Sequence, residues 1–197
     1  MNVSIPVRIY LVHVVFMCLL AAFSGCATQS GTSRGAKVQN VDVSSDVQRT
    51  FDQALQLLQE EQYDTAITLL ISVIEQEKRL TAPYINLAMA YRHIGNEELA
   101  EENLLKALAI DQAQPVANNE LGILYRKQGR FTDAKKVYIN ALSEYPDYLP
   151  VIKNLGILCD IYMQDPQCAL EQFEKYEQYD PEDKNVKVWI ADLKTRI

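Results

Sequence analysis

The side chains that could support catalysis are few and poorly placed for it. Of the two histidines, His13 lies in an apolar run near the N-terminus, which leaves His93 for the rest of the chain. Acidic residues occur as adjacent pairs such as Glu97 and Glu98, and neighbouring positions on a helix point in different directions. Serine and threonine concentrate in residues 27–46, where nothing would orient a nucleophile. We therefore predict no enzyme activity, and we expect His93 to be solvated or to contact a ligand.

Metal, nucleotide and nucleic-acid binding are also disfavoured by the residues. The four cysteines form no CxxC motif, and there is no HExxH motif for a transition metal. The seven glycines form neither GxGxxG nor GxxxxGK, so the usual phosphate-binding loops are absent. Nineteen basic against 26 acidic residues give a formal net charge of −7, which is the wrong sign for a phosphate-backbone binder. We expect no cofactor, no metal, no nucleic-acid partner and no small-molecule substrate.

The first 25 residues have the pattern of a bacterial export signal. Arg8 is followed by the apolar run IYLVHVVFMCLLAAF and then by the small residues Ser24 and Gly25. The run is shorter than the roughly 20 residues that span a bilayer comfortably. This pattern is compatible with a cleaved secretory signal or with an uncleaved membrane anchor.

The junction Phe23-Ser24-Gly25-Cys26 resembles the lipobox of bacterial lipoproteins, although Phe23 departs from the preferred leucine. The resemblance implies cleavage before Cys26 and lipidation of that cysteine, with palmitate among its acyl chains. Ala27 and Thr28 follow it instead of the aspartate that retains such lipoproteins in the inner membrane. The resemblance therefore implies an outer-membrane lipoprotein that faces the periplasm. Residues 26–46 are rich in small polar side chains and are expected to form a flexible tether.

The remaining chain repeats with a period of about 34 residues, here called the repeat period. The segments YINLAMAY, NNELGILY and IKNLGILC begin at residues 84, 118 and 152, and glycine recurs at positions 95 and 129. This pattern resembles the tetratricopeptide repeat, a helix hairpin with small residues at fixed positions. The resemblance implies an all-α fold, a right-handed superhelical solenoid of about four hairpins with a C-terminal capping helix. The expected repeats span residues 47–80, 81–114, 115–148 and 149–182, and the cap spans 183–197.

Further residues of the repeats and of the cap lead to specific expectations. Gly95 and Gly129 are expected to adopt the left-handed conformation between two helices, whereas the first repeat has no glycine at that position. In the fourth repeat the later consensus positions arrive one residue late, which predicts an insertion near residues 164–167. Trp189 is expected to pack into the core of the cap, with ligand contact as the alternative. Cys159 and Cys168 lie on the two helices of the fourth repeat and could form a disulfide or remain two buried thiols.

In tetratricopeptide-repeat proteins the first helix of each hairpin lines a concave groove that binds peptides. The resemblance carries this lining over to Leu55, Ile85, Asn86, Met89, Arg92, Asn119, Ile123, Arg126, Lys127, Lys153, Asn154 and Ile157, and also to Phe51, Asp52, His93, Glu120 and Asp160. One apolar residue recurs in each repeat, and basic residues outnumber acidic ones among these positions. The groove is therefore expected to be apolar with a mildly cationic middle.

The family resemblance implies a lipid-anchored adaptor or scaffold that binds a protein or peptide partner. Small lipoproteins with such repeats commonly assist the assembly of pili, including type IV or Flp pili, or of secretion pores, so we expect a role in an envelope complex. An alternative is a regulatory or adaptor subunit of peptidoglycan enzymes. A third possibility, a processing enzyme, is disfavoured because the acid, base and metal-binding residues are missing.

Overall fold

The computed structural model describes residues 42–197, which fold into helices joined by short turns. The predicted signal peptide at 1–25, the lipidation site Cys26 and most of the predicted tether lie outside the described residues. No strand occurs within residues 42–197. The α-helices are α1 (Ser45–Gln59), α2 (Tyr63–Gln76), α3 (Thr81–His93), α4 (Glu97–Ile110), α5 (Pro115–Lys127), α6 (Phe131–Glu144), α7 (Leu149–Ile157), α8 (Pro166–Tyr179) and α9 (Lys184–Arg196).

Successive helices pair as hairpins that stack along the chain. Helix α1 packs against α2, α3 against α4, α5 against α6 and α7 against α8, and each hairpin also contacts the next one. The first helices contact each other in the order α1, α3, α5 and α7, so they form one continuous layer. The last helix, α9, packs against α8. The predicted all-α repeat solenoid with a C-terminal helix is confirmed.

The two helices of a hairpin approach closely where the first helix carries a small residue. At Gly156 an added Cβ atom would lie 2.5 Å from Cε1 of Phe173, and at Gly122 it would overlap the ring of Tyr138. Both aromatic rings are buried. The ring of each second helix therefore occupies the space that a side chain on the first helix would need.

All four hairpins turn through a residue with positive φ. Gly95 and Gly129 have φ of 81° and 77°, as predicted from the glycine spacing. Glu61 takes this position in the first hairpin with φ of 58°, and Gln164 takes it in the fourth with φ of 54°. The left-handed conformation costs a non-glycine residue about 1–2 kcal/mol, so the surrounding hairpins must impose it at these two sites.

The extra residue of the fourth repeat lies earlier than predicted. In the first three hairpins the residue after the turn donates its amide hydrogen to a carbonyl five residues back, as Arg130 does to Tyr125 at 2.8 Å. In the fourth, Asp165 donates to Cys159, six residues back, at 2.9 Å. The chain forms a π-helical turn at Leu158–Tyr162, which accommodates one more residue per turn than an α-helix. The insertion predicted at residues 164–167 is therefore misplaced.

The first helix begins inside the predicted tether. The hydroxyl oxygen of Ser44 accepts a hydrogen bond of 3.3 Å from the amide of Val47, and α1 starts at Ser45. A serine at this position satisfies an amide that would otherwise lack a partner in the first turn. The tether boundary predicted at residue 46 is therefore two residues too late.

A disulfide joins Cys159 to Cys168 and ties the wide π turn to the start of α8, with 5.8 Å between the two Cα atoms.

Because a crosslink restricts the unfolded chain, loss of this disulfide is expected to lower the free energy of unfolding by about 2–3 kcal/mol for a loop this short. The comparison is thermal unfolding of the unaltered chain and of a Cys159→Ser, Cys168→Ser double variant, each with and without reductant. Reductant should affect only the unaltered chain. Equal melting temperatures in all four samples would contradict the prediction.

Candidate functional site

The first-helix face, formed by α1, α3, α5 and α7, carries the predicted binding residues. Leu55, Met89, Ile123 and Ile157 occupy equivalent positions on these four helices, and each is partly exposed. They form an apolar line along the face, since each is separated from the next by one repeat period. The structure places this line where the repeat pattern predicts it, but the polar residues around it are arranged differently from the expectation.

The open part of this face is a pocket between α1 and α3, here called the N-terminal pocket. It encloses about 260 Å³ and is lined by Leu55, Leu58, Gln59, Tyr63, Asn86, Met89, Ala90 and His93. The imidazole of His93 stacks on the phenol ring of Tyr63, with 4.7 Å between centroids and 10° between planes. Leu58, Gln59, Tyr63 and Ala90 were not among the predicted lining residues. Leu58 occupies the position of Arg92 one repeat earlier and was overlooked, whereas Tyr63 begins a second helix, which the repeat pattern does not assign to the groove.

Three of the four predicted groove cations are paired with carboxylates. Nη1 of Arg92 lies 3.0 Å from Oε2 of Glu120, and Lys127 pairs with Glu97. Lys153 pairs with Asp183, the residue before α9. These pairs neutralise much of the positive charge, so the expectation of a cationic middle is corrected. Each partner lies slightly less than one repeat period from its cation, and opposite charges at this spacing are a sequence signal that could have revealed the pairs.

Arg126 differs from the other three cations. It has no carboxylate within ion-pair distance among residues 42–197, and its guanidinium lies 5.7 Å from the ring centroid of Tyr162. Its Nη1 atom and the hydroxyl of Tyr138 are buried without a hydrogen-bond partner among the described residues. Burial raises the pKa of Tyr138, so its hydroxyl stays protonated. The centre of the face therefore retains unused capacity to donate and accept hydrogen bonds.

Two predicted groove residues are structural. Ile85 is only 5% exposed and belongs to the core, while Asn119 is 7% exposed. The amide oxygen of Asn119 accepts a hydrogen bond of 2.9 Å from Nδ2 of Asn154, which ties α5 to α7. Asn86 donates to the carbonyl of Ala82 within its own helix. Because successive first helices pack side by side, one edge of each helix is covered by its neighbour, and the single-helix pattern does not show which edge.

The last helix closes the C-terminal end of the first-helix face. Nζ of Lys153 donates to Asp183 at 2.6 Å, and a guanidinium nitrogen of Arg196 donates to Asp160 at 2.8 Å. The hydrogen bond raises the pKa of Lys153 and lowers that of Asp183. Trp189 packs against Phe173 with 5.2 Å between ring centroids. This contact is the predicted core role of Trp189, and it leaves the N-terminal pocket as the open end of the face.

Neither a membrane span nor a metal site is found in the part of the chain that the structure describes. Within residues 42–197 no helix is both long and apolar enough to cross a bilayer. The same residues hold no cluster of three or more histidine, cysteine, aspartate or glutamate side chains suited to a metal ion.

A family model described as tetratricopeptide repeat matches residues 82–114 and 116–148. Over 110 residues the chain is 34% identical to the type IV pilus assembly protein PilF of Pseudomonas aeruginosa, covering 54% of this chain and 43% of that protein. Over 93 residues it is 28% identical to a probable UDP-N-acetylglucosamine–peptide N-acetylglucosaminyltransferase SPINDLY of Solanum lycopersicum, covering 47% of this chain and 10% of that protein. The chain thus spans less than half the length of these curated relatives.

Solved structures show the same fold. A structure of pilF from Pseudomonas aeruginosa aligns with a TM-score of 0.68 and 26% identity, covering 76% of this chain and 68% of that one. MamA from Desulfovibrio magneticus RS-1 aligns with a TM-score of 0.66 and 17% identity, covering 78% and 86% of the two chains. The second similarity concerns the fold alone.

Proposed function

Because the chain contains tetratricopeptide repeats, whose stacked hairpins offer a continuous surface to a partner, we propose that it is a non-enzymatic adaptor. It binds a segment of another protein on its first-helix face. The observation that carries this proposal is the N-terminal pocket, an open apolar cavity at the end of the face that α9 does not close. The C-terminal end is occupied by the ion pairs of Lys153 and Asp160 with the capping helix and its N-cap.

The pocket suits an apolar side chain of a bound segment. Leu55, Leu58 and Met89 provide aliphatic walls, and the stacked rings of Tyr63 and His93 close one side. A methionine adapts its shape to different side chains, because it has three flexible bonds and a polarizable sulfur. Farther along the face the partly exposed guanidinium of Arg126, which has no carboxylate partner among the described residues, can donate hydrogen bonds to the peptide carbonyls of the same segment. The partner is therefore expected to present one apolar anchor followed by a polar stretch.

The finer proposal is a role in assembling an envelope complex such as a type IV or Flp pilus or a secretion pore. Its support is the similarity to a Pseudomonas aeruginosa protein named for type IV pilus assembly. We also propose that the chain is an outer-membrane lipoprotein, anchored through Cys26 and facing the periplasm. That part rests on the lipobox-like sequence Phe23-Ser24-Gly25-Cys26.

The adaptor function can be tested by photocrosslinking in cells from Gln59, an exposed residue at the edge of the pocket. A photoreactive amino acid at this position is expected to capture a protein of the pilus or secretion machinery, identified by mass spectrometry. His93→Glu places a carboxylate at the pocket wall and should reduce the adduct by about tenfold, which corresponds to ~1.4 kcal/mol. Arg92 is unsuitable for this purpose, since its loss would leave Glu120 unpaired.

The matched control carries the photoreactive residue at Gln178, an exposed position on α8 away from the pocket. It should not give the same adduct. The proposal is wrong if Gln178 captures the same protein as efficiently as Gln59, or if His93→Glu leaves the Gln59 adduct unchanged while the helical circular-dichroism spectrum is also unchanged.

A further inference from the structure

The second helices carry a row of exposed apolar side chains that the groove does not use. Ile71 on α2, Leu105 on α4 and Ile139 on α6 are 38%, 47% and 52% exposed, and each lies one repeat period from the next. We call these three residues the second-helix row. Isolated apolar residues on a surface are ordinary, but these three recur at equivalent positions on successive second helices.

The row has a defined end and a cleft at one side. Its equivalent in the fourth repeat is Glu174, whose carboxylate pairs with Lys194 of the capping helix at 2.7 Å. Between α4 and α6 the surface opens into a cleft of about 550 Å³, whose lining includes Leu105, Val137 and Ile139. The second-helix row is therefore confined to the first three repeats.

We propose that the second-helix row binds the same row of a second copy of this chain. The three residues are evenly spaced, so a two-fold axis parallel to the helices and passing by Leu105 superimposes the row on itself. Leu105 then meets Leu105 of the second copy, and Ile71 meets its Ile139. A two-fold interface requires this kind of self-complementary patch.

The charges beside the row fit this arrangement. Asp64 lies two helical turns before Ile71, and Lys136 lies about one turn before Ile139. Both side chains are exposed and have no ion-pair partner among the described residues. The two-fold axis brings Asp64 of one copy to the same end of the interface as Lys136 of the other. Their offset is four residues, about 6 Å along a helix, which the long lysine side chain can span.

One charge opposes the contact. Glu98 is exposed and lies two turns before Leu105, so it would approach Glu98 of the second copy near the axis. Glu102, one turn before Leu105, is already paired with Lys106 at 2.6 Å. The repulsion between the two Glu98 side chains limits the affinity of the two copies for each other. The test therefore uses crosslinking, which captures weak contacts.

The first test places cysteines in the row of the full chain and follows dimers on non-reducing gels after mild oxidation. Leu105→Cys is expected to give a reducible dimer that the unaltered chain lacks. Ile71→Cys and Ile139→Cys, carrying tags of different size, should crosslink to each other when mixed and much less with themselves. Val188→Cys on α9, which is 65% exposed, is the control and should stay monomeric.

The second test reverses the charges in the Leu105→Cys background. Asp64→Lys and Lys136→Asp should each reduce the dimer yield roughly two- to five-fold, and the double variant should restore it. The proposal is overturned if Leu105→Cys forms no more dimer than Val188→Cys, or if the double charge reversal fails to restore the yield. Capture of a different protein by Leu105→Cys without dimer would also overturn it. None of the residues substituted in these tests lines the N-terminal pocket, so the results do not bear on the proposed function.

Discussion

Removal of residues 183–197 is expected to unfold or aggregate the rest of the chain. Val186, Ile190 and Leu193 of α9 are buried, and burial of an aliphatic side chain contributes roughly 1.5–3 kcal/mol. The three together approach the net stability of a typical domain, which is about 5–15 kcal/mol. Truncation would also expose the surface of the fourth hairpin and remove the partners of Lys153 and Asp160.

The measurement is thermal unfolding together with the soluble fraction after expression. Leu193→Ser should reproduce part of the loss, because this side chain is fully buried, whereas Val188→Ser on the exposed side of the same helix should melt like the unaltered chain. A truncated chain that remains soluble with an unchanged melting temperature would show that α9 does not cap the repeats.

Gly122→Ala is expected to destabilise the third hairpin even though alanine favours helix formation. The new Cβ atom would overlap the buried ring of Tyr138, and overpacking of this kind costs about 1–3 kcal/mol, with further cost if the ring cannot move. The gain in helix propensity is about 1 kcal/mol. We therefore expect a net loss of up to about 2 kcal/mol in the free energy of unfolding, and more if the ring of Tyr138 cannot move.

The repeats themselves supply the compensating change. In the second hairpin Ala88 and Leu104 occupy the positions of Gly122 and Tyr138, and Phe173 faces Gly156 in the fourth. A glycine on the first helix thus faces an aromatic ring on the second helix, whereas an alanine faces a leucine. Adding Tyr138→Leu to Gly122→Ala should recover stability relative to Tyr138→Leu alone, measured as the coupling energy of a double-mutant cycle in urea. Strictly additive effects would rule out the proposed steric conflict.

The sequence was sufficient to predict the helix hairpins and the equivalent positions on their helices. The repeat period identifies equivalent positions, so the left-handed turns at Gly95 and Gly129 and the inward helix faces followed directly. The pairing of charges was not predicted, because equivalent positions alone do not show which side chains meet between repeats. Arg92 meets Glu120 because consecutive repeats pack side by side, and this contact depends on the relation between repeats and not on the pattern within one.

The details of the candidate site were harder to predict for a related reason. Ile85 and Asn119 lie on the helix edge that the neighbouring repeat covers, so they are buried despite their groove-like positions. The N-terminal pocket depends on Tyr63, which belongs to a second helix and reaches the face through its stack with His93. Helical periodicity assigns residues to one helix at a time, whereas a pocket is formed by side chains from three.

The π turn at Leu158–Tyr162 bears on how such an array can change its length. An added residue that continued an α-helix would rotate every later side chain by about 100° and turn the apolar side of the next helix away from the core. Here the extra residue is accommodated within one turn, and Phe173 still packs against Gly156. A single extra residue at the end of a helix is thus absorbed locally, and the packing of the next helix keeps its register.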